Sequence, residues 1–187
     1  MSVTPKIAIV AITRPGAITG QKLLSQMPDS QLYVPSKLIA GVHISGQVNP
    51  FTEPLSEKLS KLFQIYDGLV LFMALGAAIR LLAPCLKDKR TDPAVVVVDD
   101  KGKFAVSALS GHKGGANELC HQVAEILGGQ AVITTASDVL GTLSLDLLGK
   151  EWGWQIENEQ NLTKASAALL NGEPVAIFQD AGEEEWW

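Results

Sequence analysis

Apolar residues in this sequence fall into short runs that alternate with segments of helical period. The segments Lys6–Ile12, Leu69–Ala74 and Ala94–Val98 show no regular polar alternation, which is typical of parallel strands buried on both faces of a sheet. In residues 55–66 the apolar side chains instead recur every three or four positions, as on one face of a helix. Strands that alternate with helices predict an α/β protein whose sheet is mostly parallel and doubly wound.

One antiparallel hairpin is expected within that sheet. The runs Ala94–Val98 and Phe104–Leu109 are separated only by a short polar turn that contains Gly102. A helical period then covers residues 116–127, and a strand is expected at Ala131–Thr134. The other expectations for this half of the chain are a turn at Thr13–Gly16, a helix at Ala17–Met27, a strand near Leu32–Val34, a loop over Gly41–Phe51 and an N-cap at Thr52.

The pattern changes after Asp138, where we predict a domain boundary. Leu143–Leu148 predicts a short helix, Asn161–Leu170 a longer one and Val175–Phe178 a strand. We therefore expect an N-terminal α/β domain over residues 1–140 and an incomplete central or linker domain, a partial second α/β unit, over residues 141–187. One helix and one strand bury too little surface to fold alone, so we expect this second domain to be cut short.

Composition and charge narrow the classes of function. Apolar residues make up 47% of the chain, enough for a globular core, and the net charge of −5 argues against a nucleic-acid partner. Cys85 and Cys120 lie in apolar helical contexts, so we expect reduced cysteines in a cytoplasmic protein. The cysteines and histidines do not show the spacing of a metal site, so no bound metal is expected.

The segment Gly68–Leu86 is apolar except for Arg80, yet we do not expect it to span a membrane. A glycine and a proline interrupt it, and a charge within lipid is costly. We predict instead a buried strand, a turn and a buried helix. The sequence leaves two interpretations of Arg80 open: it pairs with an internal carboxylate such as Asp88 or Asp92, or it clamps a carboxylate of a ligand.

A segment rich in glycine and polar residues connects the hairpin to the following helix. Backbone N–H groups at a helix start lack partners within the helix and favour anions, and glycines let a ligand approach the backbone closely. We therefore predict an anion or oxyanion site there, and the alternative is a tight capped turn. The predicted contributors are Ser110, Gly111, His112, Lys113, Gly114, Gly115 and Asn117.

Within that segment His112 is the candidate general base, because imidazole titrates near neutral pH and this one lies beside potential oxyanion donors. The alternative is a solvated loop histidine. Ser110 is grouped with His112 as the second catalytic candidate, although a nucleophilic Ser–His pair is not favoured where a GxSxG elbow is missing. His121 is expected on the polar face of a helix and His43 in an irregular loop, so neither is a candidate.

Further candidates flank this segment on both sides. Lys89 and Arg90 belong to a charged stretch, residues 87–92, which supplies the local basic cluster that an acidic protein needs to hold an anionic ligand. The alternative is a solvated charged loop. Thr135 follows the next predicted strand and is a candidate for an opposite wall of the site. Asp138 is expected to cap the helix after it.

The stretch DKRTDPAVVVVDDKGKFAVSALSGHKGGANEL, residues 88–119, resembles the cobalt-precorrin-5A hydrolase family (CbiG) of cobalamin biosynthesis. The preceding stretch GLVLFMALGAAIRLLAPCLKDK, residues 68–89, resembles the N-terminal domain of the same family. The resemblance is strong over about residues 68–138 and looser on either side. Such a long ordered pattern is far more specific than a lone glycine-rich motif.

The resemblance implies hydrolysis of a δ-lactone on a cobalt-bound tetrapyrrole, with release of acetaldehyde. By analogy, water attacks the lactone carbonyl, His112 takes its proton and the backbone at Gly114–Ala116 holds the oxyanion. The cobalt belongs to the substrate, so no cofactor of the protein is expected. The expected partners are the corrinoid intermediate and a missing C-terminal domain, or a fused or separate biosynthetic enzyme. The alternative is a non-catalytic module that binds a corrinoid or a nucleotide and works with a partner domain.

Overall fold

The computed structural model describes residues 5–39, 48–149 and 152–182, and within them seven strands form a single sheet. The strands are β1 (Ile7–Ala11), β2 (Ser30–Pro35), β3 (Val48–Phe51), β4 (Gly68–Phe72), β5 (Ala94–Val98), β6 (Phe104–Leu109) and β7 (Gln130–Val132). Their spatial order is β3-β2-β1-β4-β5-β6-β7. Strands β1 to β5 are parallel, β6 is antiparallel to β5, and β7 is parallel to β6. The predicted mostly parallel sheet with one hairpin is confirmed.

Helices cover both faces of this sheet. They are α1 (Arg14–Gln26), α2 (Ser36–Ile39), α3 (Leu55–Ile65), α4 (Leu75–Leu82) and α5 (Ala116–Leu127); two further helices, α6 (Ala136–Leu140) and α7 (Glu159–Leu170), follow along the chain. On one face, buried side chains of α1 and α5 belong to the same hydrophobic cluster as Ile9 of β1. On the other face, buried side chains of α3 and α4 pack against Ala8 and Val10 of the same strand. Every residue of β1, β4 and β5 is buried, as expected of strands that are covered on both faces.

The predicted local structure at the starts of α1 and α3 is wrong. The expected turn at Thr13–Gly16 is the start of α1, because Thr13 is the N-cap and its Oγ1 accepts a 3.0 Å hydrogen bond from the Gly16 N–H. Pro15 fits the first helical turn, where a backbone N–H is not needed. The expected N-cap at Thr52 is also wrong, since α3 begins after Pro54 without a side-chain cap.

Strand β3 was not predicted, because its residues fall in the expected loop Gly41–Phe51. Its sequence, VNPF, contains Pro50, which cannot donate to a neighbouring strand. The strand lies at the edge of the sheet and pairs only with β2, and an edge is where proline is tolerated. A four-residue edge strand with an internal proline lacks the continuous run of apolar residues from which the other strands were predicted.

Helix α4 is half-exposed, so the prediction that it is buried is wrong. Ala78 and Leu82 are buried, whereas Leu75 and Ile79 are exposed by 42% and 38%. A short 3₁₀ helix, Ala83–Cys85, follows directly. Among the residues described, no helix has both the length and the apolar character that a membrane crossing requires.

The described residues divide into two compact units, the first ending at Ile133 and the second beginning at Thr134. The second unit contains α6, a 3₁₀ helix at Leu145–Leu147 and α7. The predicted strand Val175–Phe178 is wrong, because those residues pair with no other strand in the described part of the chain. The predicted cap at Asp138 is also wrong: Thr135 occupies the N-cap position of α6, and Asp138 lies in its first turn.

Candidate functional site

The candidate loop, Ser110–Gly115, lies at the end of the sheet where strands β1 to β5 begin. Strand β6 runs antiparallel to β5, and Leu109 at its carboxyl end pairs with Val95 near the amino end of β5. The charged stretch that precedes β5 therefore lies at the same end of the sheet as the loop. Sequence reasoning placed both segments at strand ends but did not bring them together, because only the observed register shows that they are neighbours.

The backbone of the candidate loop is closed by its own hydrogen bonds. The N–H groups of Gly115, Ala116 and Asn117 donate to the carbonyl oxygens of His112, Ser110 and Gly111, at 2.9, 3.1 and 2.9 Å. Donors that were expected to bind an oxyanion are therefore occupied within the loop. Of the backbone expected to hold the oxyanion, Gly114–Ala116, the Gly115 and Ala116 N–H groups are thus already bonded in this loop conformation.

Ser110 adopts a left-handed backbone conformation with φ of 58°, and it is the one non-glycine residue with positive φ among those described. Such a conformation costs an L-residue about 1–2 kcal/mol. Gly114 packs directly against the Cβ and carbonyl of Ser110, so a side chain at Gly114 would collide with it. Backbone strain of this kind occurs at functional sites, and here it lies at the predicted catalytic serine.

Asn117 is buried in the first turn of α5 rather than directed to a ligand. Its Oδ1 accepts a 2.7 Å hydrogen bond from the hydroxyl of Ser107 in β6. A Cβ at Gly111 would lie 2.8 Å from the same oxygen, so that glycine makes room for the asparagine. Asn117 therefore has a structural role in joining β6 to α5, and its predicted substrate contact stays a prediction. Ser107 was missed, and the signal for it was a hydroxyl inside an apolar strand.

The side chains that the loop presents to solvent are those of His112 and Lys113. His112 is half-buried and Lys113 is exposed. Gly115 has φ of 86° and open space where a Cβ would stand, so it alone of the three loop glycines leaves the backbone open to close approach. The loop therefore places an imidazole, an ammonium group and, at the half-buried Ser110, a hydroxyl at this end of the sheet.

The charged stretch before β5 is organised by Asp88. Its carboxylate binds the guanidinium of Arg90 through Nε at 3.0 Å and Nη2 at 2.7 Å. Hydrogen bonds from the Arg90 side chain and backbone lower the pKa of Asp88 to about 2. Arg90 is thus partly neutralised, and Lys87 and Lys89 remain as exposed cations of the predicted basic cluster.

Arg80 lies at the surface, so the buried position that an internal ion pair requires is wrong, and its predicted contact with a ligand carboxylate stays a prediction. It is exposed on α4 and its Nη1 donates a long, 3.5 Å hydrogen bond to the Gly76 carbonyl of the preceding turn. The proposed pairing with Asp88 or Asp92 is also wrong, because Asp88 binds Arg90 and Asp92 accepts from the Lys87 N–H at 2.9 Å. The long aliphatic stem of an arginine allows it to reach water from an otherwise apolar helix.

Thr135 is the remaining candidate, and one histidine and two cysteines complete the residues considered from the sequence. Thr135 belongs to the second unit, as the N-cap residue of α6, and His43 falls outside the described residues. Cys85 and Cys120 are free thiols. Cys120 is buried, its Sγ donates to the Ala105 carbonyl at 3.0 Å, and burial raises its pKa, so it is an unreactive core residue.

Two family models match the chain. The model described as cobalamin synthesis G N-terminal matches residues 57–138, and the model described as cobalamin biosynthesis central region matches residues 143–186. The candidate loop and the charged stretch both fall within the first match. The two matches meet within a few residues of the division between the two compact units.

Individual relatives agree with the family models. The chain is 46% identical over 180 residues to a cobalt-precorrin-5A hydrolase of Priestia megaterium, covering 96% of this chain and 48% of the relative. It is 35% identical over 176 residues to a cobalt-precorrin-5A hydrolase of Salmonella typhimurium, covering 94% of this chain and 48% of the relative. The chain thus spans about half the length of the curated relatives it matches.

A solved structure supports the fold. A protein described as a cobalamin biosynthesis protein G homologue from Sulfolobus solfataricus superposes with a TM-score of 0.53 at 25% sequence identity. The superposition covers 96% of this chain and 51% of that protein. The similarity therefore extends over both compact units of the chain.

Proposed function

Because the chain belongs to the cobalamin synthesis G family, we propose that it takes part in corrin ring biosynthesis, hydrolysing the δ-lactone of cobalt-precorrin-5A with release of acetaldehyde. The observation that carries this proposal is the 46% identity, over 96% of the chain, to a relative named for that reaction. Residues 57–138, which include the candidate loop, match the family's N-terminal region as well.

In the proposed reaction, water attacks the lactone carbonyl at the Ser110–Gly115 loop. His112 takes the proton from the water, since a general base must lie within hydrogen-bond reach of the proton it removes. The negative charge that develops on the carbonyl oxygen is stabilised by the Ser110 hydroxyl and the Lys113 ammonium group. These side chains replace the backbone N–H groups of residues 115–117, which are already bonded within the loop. The lactone C–O bond then breaks and leaves a carboxylate. The freed alkoxide carbon departs as acetaldehyde when its carbon–carbon bond to the ring breaks, and the electron pair of that bond passes to the ring.

The cobalt is part of the substrate in this proposal, and the protein needs no cofactor of its own. The corrinoid intermediate is the ligand, and a further segment equivalent to the other half of the relatives is proposed to complete the enzyme. We place the reaction in the cytoplasm, where free thiols such as Cys85 and Cys120 stay reduced.

The experiment is to incubate cobalt-precorrin-5A with this 187-residue chain in water enriched in ¹⁸O. Acetaldehyde is measured by reduction with NADH and alcohol dehydrogenase, and the corrinoid product by mass spectrometry. Hydrolysis at the lactone carbonyl predicts one ¹⁸O atom in the new carboxylate and one acetaldehyde per corrinoid. The same assay is run with the chain fused to the remaining half of the Priestia megaterium relative.

A second candidate function is a module that binds the corrinoid without hydrolysing it. It is favoured by one observation, the closure of the candidate loop by its own backbone hydrogen bonds. Corrinoid binding without acetaldehyde release, by both the chain and the fusion, would support this second function and contradict the first.

A further inference from the structure

A cleft of about 630 Å³ opens beside helix α3 in the first compact unit. One wall is α3, and the other runs from the 3₁₀ helix Ala83–Cys85 to Pro93, just before β5. This volume is within the range of sites that hold small molecules. All of the residues that line the cleft belong to the first unit. Among them, only those of the charged stretch, residues 87–92, were connected with a ligand from the sequence.

The α3 wall presents polar groups in a line. Ser56, Ser60 and Gln64 are spaced four residues apart and therefore lie on one side of the helix, facing the cleft. Their hydroxyl and amide groups are hydrogen-bond donors of the kind that bind carboxylates. Such donors along one wall suit a ligand that carries several acceptor groups.

The opposite wall supplies a positive charge. Lys87 is exposed at the cleft, and its backbone N–H donates to Asp92 at 2.9 Å. That bond holds the Asp92 carboxylate against the chain at this wall. Phe63 and Pro93 line the cleft and are buried. The cleft therefore combines buried apolar residues, neutral donors, an ammonium group and the Asp92 carboxylate, which accepts the Lys87 N–H.

The cleft lies at the same end of the sheet as the candidate loop, beside the residues that precede β5. Pro93 leads into β5, whose Val95 pairs with Leu109, and Ser110 follows at once. Adjacent strands are about 5 Å apart, so the cleft wall and the loop begin at neighbouring strand ends. The cleft and the loop therefore lie at the same end of two neighbouring strands.

We propose that this cleft binds the carboxylate side arms of the corrinoid, with Lys87 as their counter-ion, while the lactone reaches the Ser110–Gly115 loop. The inference rests on the proposed function and adds the position of the substrate's periphery. A protein of net charge −5 requires local cations to hold a polycarboxylate. Lys87 supplies one within a cleft, where a charge-assisted hydrogen bond is strongest.

The test uses two probes and three variants of the 187-residue chain. Cobyrinic acid carries free carboxylate side arms, whereas cobinamide carries amides, and binding of each is followed by the corrinoid absorption spectrum. Lys87→Met removes the charge but keeps the backbone bond to Asp92, and Ser60→Leu removes a hydroxyl and narrows the cleft. Lys101→Met is the matched control, because Lys101 is exposed in the turn between β5 and β6, at the opposite end of these strands.

We expect cobyrinic acid to bind more tightly than cobinamide. Lys87→Met should weaken cobyrinic acid binding about tenfold, equivalent to about 1.4 kcal/mol, and Ser60→Leu should also weaken it. Lys101→Met should leave it unchanged. The KM for cobalt-precorrin-5A should rise in the two cleft variants while kcat stays the same, because the side arms are bound equally before and during the reaction.

The outcomes separate this inference from the proposed function. If the chain releases acetaldehyde but Lys87→Met and Ser60→Leu behave like the wild type, the cleft proposal is wrong and the function stands. If Lys87 governs binding of cobyrinic acid but no acetaldehyde forms, the cleft proposal stands and the hydrolase function is wrong. Failure of the chain to bind cobyrinic acid contradicts the cleft proposal outright.

Discussion

The hydroxyl of Ser107 donates a 2.7 Å hydrogen bond to Oδ1 of Asn117, joining the last part of β6 to the first turn of α5. The candidate loop runs between these two residues, and its carbonyl groups accept three backbone hydrogen bonds from the start of α5. The loop is therefore a preformed structure whose shape is fixed by its own bonds. A preformed loop holds its side chains in place before a ligand arrives, which lowers the entropy cost of binding.

The buried amide of Asn117 predicts a loss of stability on substitution. Asn117→Leu should lower the free energy of unfolding by about 1–3 kcal/mol, because the half-buried Ser107 hydroxyl loses its acceptor. Urea unfolding measures the change, and Gln122→Leu, on the exposed side of the same helix, is the control. Unchanged stability with weaker corrinoid binding would show instead that Asn117 contacts the ligand.

The left-handed backbone of Ser110 predicts that two small substitutions differ in their effect on stability. Ser110→Ala removes the hydroxyl and keeps the strain, whereas Ser110→Gly removes both. The glycine variant should therefore be more stable than the alanine variant, by about 1 kcal/mol, because glycine adopts positive φ without steric cost. Thermal unfolding of the pair measures this difference. Equal stabilities would mean that φ at Ser110 is not left-handed in solution.

Both Ser110 variants should also release acetaldehyde more slowly than the wild type, since both lack the proposed oxyanion donor. Equal loss in the two variants assigns the effect to the hydroxyl. Loss in the glycine variant alone would assign it to the backbone conformation, and the proposed role of the hydroxyl would then be wrong.

The ion pair of Asp88 and Arg90 predicts a measurable titration. Arg90→Met should raise the pKa of Asp88 from about 2 towards its ordinary value of 3.8, because hydrogen bonds from Arg90 are the largest cause of the shift. Carbon-13 NMR of the Asp88 carboxyl group measures it. Lys89→Met is the control and should move the pKa much less, since Lys89 contributes least.

The same shift sets the pH dependence of this stretch. The pKa of Asp88 is lower in the folded chain than in the unfolded one, so the stabilising pair is fully present above pH 3.8. It is lost as the pH falls through about 2. An Asp88 titration that is the same in the Arg90→Met variant as in the wild type would contradict the assignment of the shift to Arg90.

Several elements could be predicted because buried strands and helices have a characteristic pattern of apolar residues in the sequence. Strands β1, β4 and β5 are covered on both faces, so nearly every residue in them is apolar. Helix α5 ends at Gly128, which has positive φ as a helix-terminating glycine does. Elements with weaker burial were missed or mistaken, among them the edge strand β3 and the half-exposed α4.

The candidate site was predicted less completely than the fold. A glycine-rich loop before a helix indicates an anion site only if the helix N–H groups point outward, and hydrogen bonds from residues 115–117 back into the loop cannot be read from residue types. The exposure of Arg80 was hidden for a related reason, since an arginine on an apolar helix can extend to water. The cleft beside α3 depends on packing between segments distant in sequence.

The most direct test of the account compares two histidines in acetaldehyde release from cobalt-precorrin-5A. His112 lies in the candidate loop, whereas His121 lies exposed on α5, so each is replaced by alanine in otherwise identical protein. The account predicts that His112→Ala abolishes release at unchanged thermal stability and that His121→Ala releases acetaldehyde like the wild type. Full release by His112→Ala would contradict the assignment of the hydrolysis to this loop.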